Sequence, residues 1–112
     1  MSTYDVLQCA FTLIKEEENH CRHTYATDAS GRPVGSRASE AVRFCLIGAV
    51  DRARYILASA NEDYNLAMAA LDMAARKLFD LSVPEVNDEL GHEAVKAVLN
   101  EALGGLQWVH TT

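Results

Sequence analysis

The sequence predicts a mainly α-helical fold: a small domain of four helices, or four to five, with a short β-hairpin or ordered loop between helices 1 and 2. Two observations predict this class. Apolar residues recur at helical spacing through most of the chain, and a segment with turn-forming Asp, Gly and Pro residues interrupts that spacing at 22–36. At 112 residues the chain has the size of one domain, so we expect 1–112 to fold as a unit. The expected helices are 3–19, 39–59, 61–79 and 92–103.

The first expected helix, 3–19, has one apolar stripe and a plausible start. Ser2 or Thr3 can cap its N-terminus, and Asp5 lies in the first turn, where the helix dipole favours an anion. The polar run KEEEN should end it in solvent. The stripe consists of Val6, Leu7, Ala10, Leu13 and Ile14.

Residues 22–36 should be non-helical. Tyr25 and Thr27 favour a short strand, and Asp28 begins a turn in which Gly31 takes a positive φ. Pro33 then begins an extended return, because it lacks the N–H that a helix or an inner strand needs. We expect this hairpin to be a surface element outside the helical core.

The second expected helix, 39–59, begins after an N-cap at Ser39 and is apolar on two faces. A helix of this kind is central to its fold or buried in an oligomer interface. Glycine costs a helix interior about 1 kcal/mol relative to alanine, so Gly48 should make a notch for a close neighbour. A second helix, an aromatic side chain or a ligand could fill it. The predicted ligand- or partner-binding face comprises Phe44, Gly48, Arg52 and Tyr55.

The rest of the chain reads as two helices joined by a turn. Alanines in 61–79 should let a neighbouring helix approach closely, and Ser82 with Glu85 has capping-box spacing within the turn 82–91. The last helix, 92–103, should stop at two adjacent glycines. The remaining tail, 104–112, contains Trp108, which we expect to pack on the body or on a partner.

Two stretches carry patterns that occur in order: HTYATDASGRPVGSRASEAVRFCLIGAV, and ALDMAARKLFDLSVPEVNDELGHEAVKAVLNEAL. The first contains Tyr-Ala-x-Asp-x-x-Gly-Arg-Pro-Val followed by Cys-x-x-Gly-Ala, and the second has an Asn-Asp pair before a closing helix. Together, over residues 20–103, they resemble an uncharacterised bacterial and phage domain family of unknown function. Because that family has no assigned activity, the resemblance implies a layout and no reaction.

Cys45 and the pair Asn87–Asp88 are the candidates for chemistry. Cys45 could be a nucleophile with His92 or His23 as its base and Asp88 as an orienting group, but a cysteine in the middle of a helix is more often a small core residue. The Asn-Asp pair more often caps a helix or fixes a turn.

Two histidines flank Cys21 in the sequence HCRH, which looks metal-like. A tetrahedral zinc site needs two separated ligand pairs, and the sequence offers no second pair. We therefore predict no metal and no cofactor.

Charge and cysteine content narrow the function. Sixteen acidic against ten basic residues give a net charge of −6, which argues against nucleic acid and anionic membranes as partners. Three cysteines at unrelated spacings and an N-terminus without a signal-peptide pattern favour the cytoplasm.

We expect a small cytoplasmic protein that acts by binding a protein or a small ligand, as a homodimer; a phage-type accessory or inhibitor protein belongs to this class. The alternative is a thiol-dependent amide hydrolase or deamidase using Cys45, although the sequence favours a protein that is not an enzyme.

Overall fold

A computed structural model describes residues 2–111, with side chains for residues 2–106, and confirms the mainly helical class. Within the described residues the chain forms five helices and a small three-stranded antiparallel sheet. The helices are α1 (Thr3–Ile14), α2 (Leu46–Leu57), α3 (Asn61–Phe79), α4 (Val83–Glu85) and α5 (His92–Thr111). The strands are β1 (Ala26–Thr27), β2 (Pro33–Val34) and β3 (Arg43–Phe44).

The sheet has the order β2-β1-β3, so the first strand of the predicted hairpin is central. Ala26 pairs with Val34 on one side and with Phe44 on the other. Gly31 has a φ of 88°, which confirms the positive φ predicted for the turn between β1 and β2.

Asp28 organises that turn. One of its carboxylate oxygens accepts hydrogen bonds from the Ser30 hydroxyl at 2.7 Å and from the backbone N–H groups of Ser30 and Arg32, both at 3.0 Å. These bonds, with the Ser30 hydroxyl the largest cause, lower the pKa of Asp28 to about 2.

The core lies around α1, which packs against α2, α3 and α5. Ala26 of β1 is fully buried and Phe44 of β3 is 4% exposed, and both belong to this core. The expectation that the hairpin lies outside the helical core is therefore wrong. The largest fully buried side chains are Leu7, Ile14, Leu46, Leu71, Leu99, Val6, Val50, Val86, Val95 and Val98.

The predicted start of the second helix, 39–59 with a cap at Ser39, is wrong. The helix begins at Leu46, because residues before it pair with β1 instead: the backbone N–H of Val42 donates to Thr27 O at 2.9 Å, and that of Cys45 donates to Tyr25 O at 3.1 Å. Pairing with a neighbouring strand outweighs the local helical pattern of this stretch.

The limits of the first and last helices also differ from the prediction. α1 ends at Ile14, and a separate short 3₁₀ turn follows at Glu17–Asn19. Consecutive carboxylates are unfavourable at a helix C-terminus, where the dipole is negative, so the acidic run ends the helix early.

At the other end, Gly104 and Gly105 do not stop α5, which continues to Thr111. The tail 104–112 is thus helical as far as it is described, and the predicted packing of Trp108 concerns a side chain outside the described ones.

The capping box predicted at Ser82 and Glu85 is present, and Ser2, one of the two caps expected for the first helix, forms a capping box with Asp5. After α4, one π-helical turn at Val86–Leu90 leads to Gly91, whose φ of 93° ends it before α5. Among the described residues, no helix has the length and apolar character needed to cross a bilayer.

Candidate functional site

The contact between Gly48 and Tyr25 positions one wall of the site. A side-chain carbon at position 48 would overlap the carbonyl oxygen of Tyr25 and would lie 2.9 Å from its carbonyl carbon. The same oxygen accepts the backbone N–H of Cys45. The notch predicted at Gly48 is therefore present, and the backbone entering β1 fills it, in place of the helix, aromatic ring or ligand that we had considered.

Three segments distant in sequence meet next to this contact and enclose a cavity of about 420 Å³. They are the approach to β1, the start of α2, and the helical turns after α3. The cavity is lined by His23, Thr24, Tyr25, Cys45, Ile47, Pro84, Asn87 and Asp88.

Asn87 holds the three segments together and is only 3% exposed. Its Oδ1 accepts the backbone N–H of Leu46 at 2.9 Å and the Nε2–H of His20 at 2.7 Å. Its Nδ2 donates to Cys21 O at 3.2 Å and to Asp88 Oδ1 at 2.9 Å. All four hydrogen-bonding positions of the amide are thus used, and the amide caps α2 across 41 residues.

The Asn87 contacts also fix the tautomer of His20. A backbone N–H can only donate, so the Asn87 atom that Leu46 contacts is the oxygen, and His20 must carry its proton on Nε2. Burial lowers the pKa of His20, which keeps the imidazole neutral at pH 7.

Asp88 contributes a carboxylate to the cavity. Its Oδ1 accepts the backbone N–H of His23 at 2.9 Å and the Asn87 amide, whereas Oδ2 lies 3.8 Å from the His23 Nδ1. Desolvation acts to raise the pKa of Asp88, but these hydrogen bonds and the charges of His23 and Arg22 outweigh it and hold the pKa below its ordinary value. The group is therefore ionised at neutral pH, with one oxygen free of hydrogen bonds from the described residues.

Cys45 is the N-cap of α2, which corrects the prediction that it lies in the middle of a helix. Its Sγ accepts the backbone N–H of Gly48 at 3.3 Å, and the residue is 7% exposed. Burial raises the pKa of the thiol, and the N–H groups of Gly48 and Ile47 oppose that increase only in part. The sulfur is a protonated thiol at neutral pH that lines the cavity.

The structure separates the two histidines considered as bases. His23 lines the cavity, with a left-handed φ of 68° and a largely exposed ring. His92 does not line it: its Nε2–H donates to Ile14 O at 2.7 Å, and its ring lies 5.4 Å from that of His20. Cys45 and Asp88 therefore share the cavity, and His92 lies outside it.

The predicted binding face of Phe44, Gly48, Arg52 and Tyr55 is divided between the interior and the surface. Phe44 lies on β3 in the core, and the guanidinium of Arg52 is 5.7 Å from its ring centre while donating to Ser36 O and Ala38 O. Tyr55 is 55% exposed. The segment after β2 therefore contacts Arg52, whereas the Tyr25 backbone covers Gly48.

A second, smaller cavity of about 230 Å³ adjoins the first. It shares Tyr25 and Ile47 with the first cavity, so the two spaces adjoin at these residues. Sequence reasoning did not single out Ile47, and it treated Tyr25 as a strand residue and as the first residue of a family pattern without a site role. The second cavity is lined by Tyr25, Ser36, Ile47, Asp51 and Tyr64.

The described residues contain no group of three or more His, Cys, Asp or Glu side chains arranged to hold a metal ion. A model of a family of unknown function, DUF6197, matches residues 1–104 of the chain. No curated protein and no solved structure matches it.

Proposed function

Since the chain belongs to DUF6197, a family of unknown function, we propose a function from the site itself: the protein binds a small organic ligand that carries an ammonium group, in the cavity lined by Asp88, Cys45 and Tyr25. The observation that carries this proposal is the carboxylate of Asp88. It is ionised, it lines the cavity, and its Oδ2 accepts no hydrogen bond from the described residues. An ammonium group would supply that missing donor and the opposite charge.

The rest of the cavity suits a small ligand of this class. Its volume of about 420 Å³ lies within the range of ordinary small-molecule sites, which combine apolar walls with a few placed polar groups. Ile47, Pro84 and the Tyr25 ring supply apolar surface for a carbon skeleton. Asn87 keeps the walls in place because it is bonded to all three segments.

No observation favours the thiol-enzyme alternative. A nucleophilic cysteine needs a lowered pKa and a base within hydrogen-bond reach. Burial raises the pKa of Cys45, and the hydrogen bond found for its sulfur comes from the Gly48 backbone. We therefore assign Cys45 as a cap and a cavity wall.

The position of Cys45 allows the ligand class to be tested by disulfide exchange. The protein is equilibrated with equal amounts of cystamine and 2-hydroxyethyl disulfide, which deliver S–C–C–ammonium and S–C–C–hydroxyl groups. In each exchange the Cys45 thiolate attacks one sulfur, a new S–S bond forms, and the other half leaves as a thiol that takes up the proton. Trypsin then separates the three cysteines, because Lys15, Arg22, Arg43 and Arg52 lie between and beyond them.

The measured quantity is the ratio of ammonium to hydroxyl adduct at Cys45, obtained by mass spectrometry. We expect it to exceed the ratio at Cys9 by about tenfold, the factor that corresponds to the weakest hydrogen bonds to charged groups. The variant Asp88→Asn should bring the two ratios together. Equal ratios in the native protein, or no adduct at Cys45 while the protein stays folded, would refute the proposal. Circular dichroism of the adduct confirms that the fold is retained.

We further propose that the protein self-associates through a groove between α3 and α5. In support, Met73 protrudes with 74% of its surface exposed, whereas Ala70, Ala74 and Gly105 line a recess of about 350 Å³ on the same face. A surface with both a protrusion and a recess can pair with a copy of itself about a two-fold axis.

Light scattering should show a dimer, and Met73→Glu should make it monomeric. Leu90→Glu, at an exposed leucine outside the groove, is the control, and a native monomer at high micromolar concentration contradicts the proposal.

The three cysteines, which are all unpaired, support a proposed location in a reducing compartment such as the cytoplasm. Fractionation of cells followed by thiol labelling tests this, and recovery of the protein in an oxidising compartment contradicts it.

A further inference from the structure

We propose that the ligand is the amino-terminal end of a peptide, which extends from the Asp88 cavity past Ile47 into the second cavity. The inference rests on the proposed function, because it takes the ammonium group at Asp88 as its starting point. It adds a second subsite and a chemical class for the group that occupies it.

The two cavities are placed to accept one continuous ligand. Tyr25 and Ile47 line both, so the two spaces adjoin at these residues, and a ligand chain would reach the second space by passing them. The Gly48 contact holds the Tyr25 backbone against α2, which carries Ile47 in its first turn. The backbone positions of both shared residues are therefore fixed relative to each other before a ligand arrives.

The second cavity is polar but carries no free charge. Its carboxylate, Asp51, is paired with Arg37 through bonds of 3.1 and 3.0 Å and also accepts the Ser36 hydroxyl at 2.5 Å. A charged ligand group would have to displace these partners. A neutral polar group meets no such cost.

Two of the residues that line this second cavity are tyrosines whose hydroxyls have no hydrogen-bond partner among the described residues. The hydroxyls of Tyr25 and Tyr64 make no hydrogen bond with the residues that the structure describes. A phenol hydroxyl both donates and accepts, and so does a peptide amide through its N–H and C=O groups. An ammonium followed at once by neutral amides is the chemistry of a peptide N-terminus.

A matched set of disulfide probes for Cys45 tests this extension. Cystamine delivers S–C–C–ammonium. Oxidised Cys-Ala-Ala amide delivers the same atoms with a neutral peptide chain added, and its N-acetyl form keeps the peptide but removes the ammonium. Each peptide disulfide is placed in competition with cystamine, and the adducts at Cys45 are counted by mass spectrometry. The protein variants are Tyr64→Phe and, as a control outside both cavities, Tyr55→Phe.

We expect the peptide probe to be captured about fivefold better than cystamine, the effect of one added hydrogen bond. Tyr64→Phe should abolish that advantage and Tyr55→Phe should retain it, while the acetylated peptide should be captured less well than cystamine. A peptide captured no better than cystamine, or an advantage unchanged in Tyr64→Phe, overturns the inference. If cystamine is still preferred over 2-hydroxyethyl disulfide in that case, the ammonium site stands and only the peptide extension fails.

Discussion

Replacing Gly48 with alanine tests the contact on which the site is built. The added methyl group would overlap the carbonyl oxygen of Tyr25, and the obstructing atoms are backbone, which cannot rotate away as a side chain can. The carbonyl also accepts the N–H of Cys45, so moving it weakens that bond as well. Overpacking a filled contact costs about 1–3 kcal/mol.

A gain in helix propensity offsets part of this cost. Alanine in place of glycine favours a helix by about 1 kcal/mol, so we expect a net loss in the free energy of unfolding of up to about 2 kcal/mol. For a chain of 112 residues this corresponds to a fall in melting temperature of up to about 8 °C. Urea unfolding followed by circular dichroism at fixed temperature gives the free energy directly.

Gly104→Ala is the matched control, because Gly104 also lies inside a helix but has open space where the methyl group would go. It should stabilise the protein by up to about 1 kcal/mol. If Gly48→Ala stabilises the protein as much as Gly104→Ala does, the Tyr25 backbone does not fill the notch and the explanation given for the glycine is wrong.

Four further predictions, three on substitutions and one on thiol reactivity, test other parts of the structure. Asn87→Ala leaves the buried N–H of Leu46 without its partner and should lower the free energy of unfolding by about 1–3 kcal/mol in a urea titration; a loss below about 0.5 kcal/mol contradicts its role as a cap. Gly31→Val places a β-branched residue at a φ of 88°, so the melting temperature should fall while most of the helical circular dichroism remains at room temperature. Complete loss of cooperative unfolding would contradict this expectation. The pKa of Asp28 is about 2 in the folded protein and 3.8 ordinarily, so its stabilising effect is complete above about pH 4 and is lost as the pH falls towards about 2. In Asp28→Asn the free energy of unfolding, measured by urea titration, should change less with pH over that range. A pH dependence equal to that of the native protein would contradict the assignment. Cys45 should react with iodoacetamide at pH 7 more slowly than a free thiol, as mapped on its tryptic peptide, and faster reaction would reopen the nucleophile interpretation.

Sequence reasoning succeeded where the information is local. The helix 61–79 was predicted with its observed limits, and the cap at Ser2 and the capping box at Ser82 each depend on a partner three residues away. The turn at Gly31 likewise depends on neighbouring residues. All residues that determine such a cap or turn lie within a few positions of one another in the sequence.

The start of α2 could not be predicted in the same way. Its first N–H is capped by a side chain 41 residues later, and the residues before it pair with a strand about 16 residues earlier. Neither partner is visible in the stretch itself, which has a continuous helical pattern. This one boundary also decides whether Cys45 lies inside a helix or caps it.

Only part of the candidate site was predicted, again because some of its residues depend on partners that are distant in the sequence. Cys45 and Asp88 were chosen for their chemistry, and the structure places both on the same cavity. Tyr25 belongs to the hairpin pattern and Ile47 to an unspecified position of Cys-x-x-Gly-Ala, and neither pattern indicates a site role, which comes only from where the fold puts these two residues. The signal in the sequence was the unexplained glycine at position 48 of a predicted helix, which indicated a close neighbour but did not identify it as Tyr25.

The bonds of Asn87 have a consequence for the order of folding. They join residues 41 and 66 positions apart, and the entropy lost in closing such loops must be spent before the contacts form. The first eighty residues include the hairpin and α2, yet they lack both Asn87, which accepts the first N–H of α2, and the carboxylate of the cavity. The candidate site therefore belongs to no fragment of the chain, and it should be among the last parts of the molecule to form and among the first to be lost when the contacts between distant segments loosen.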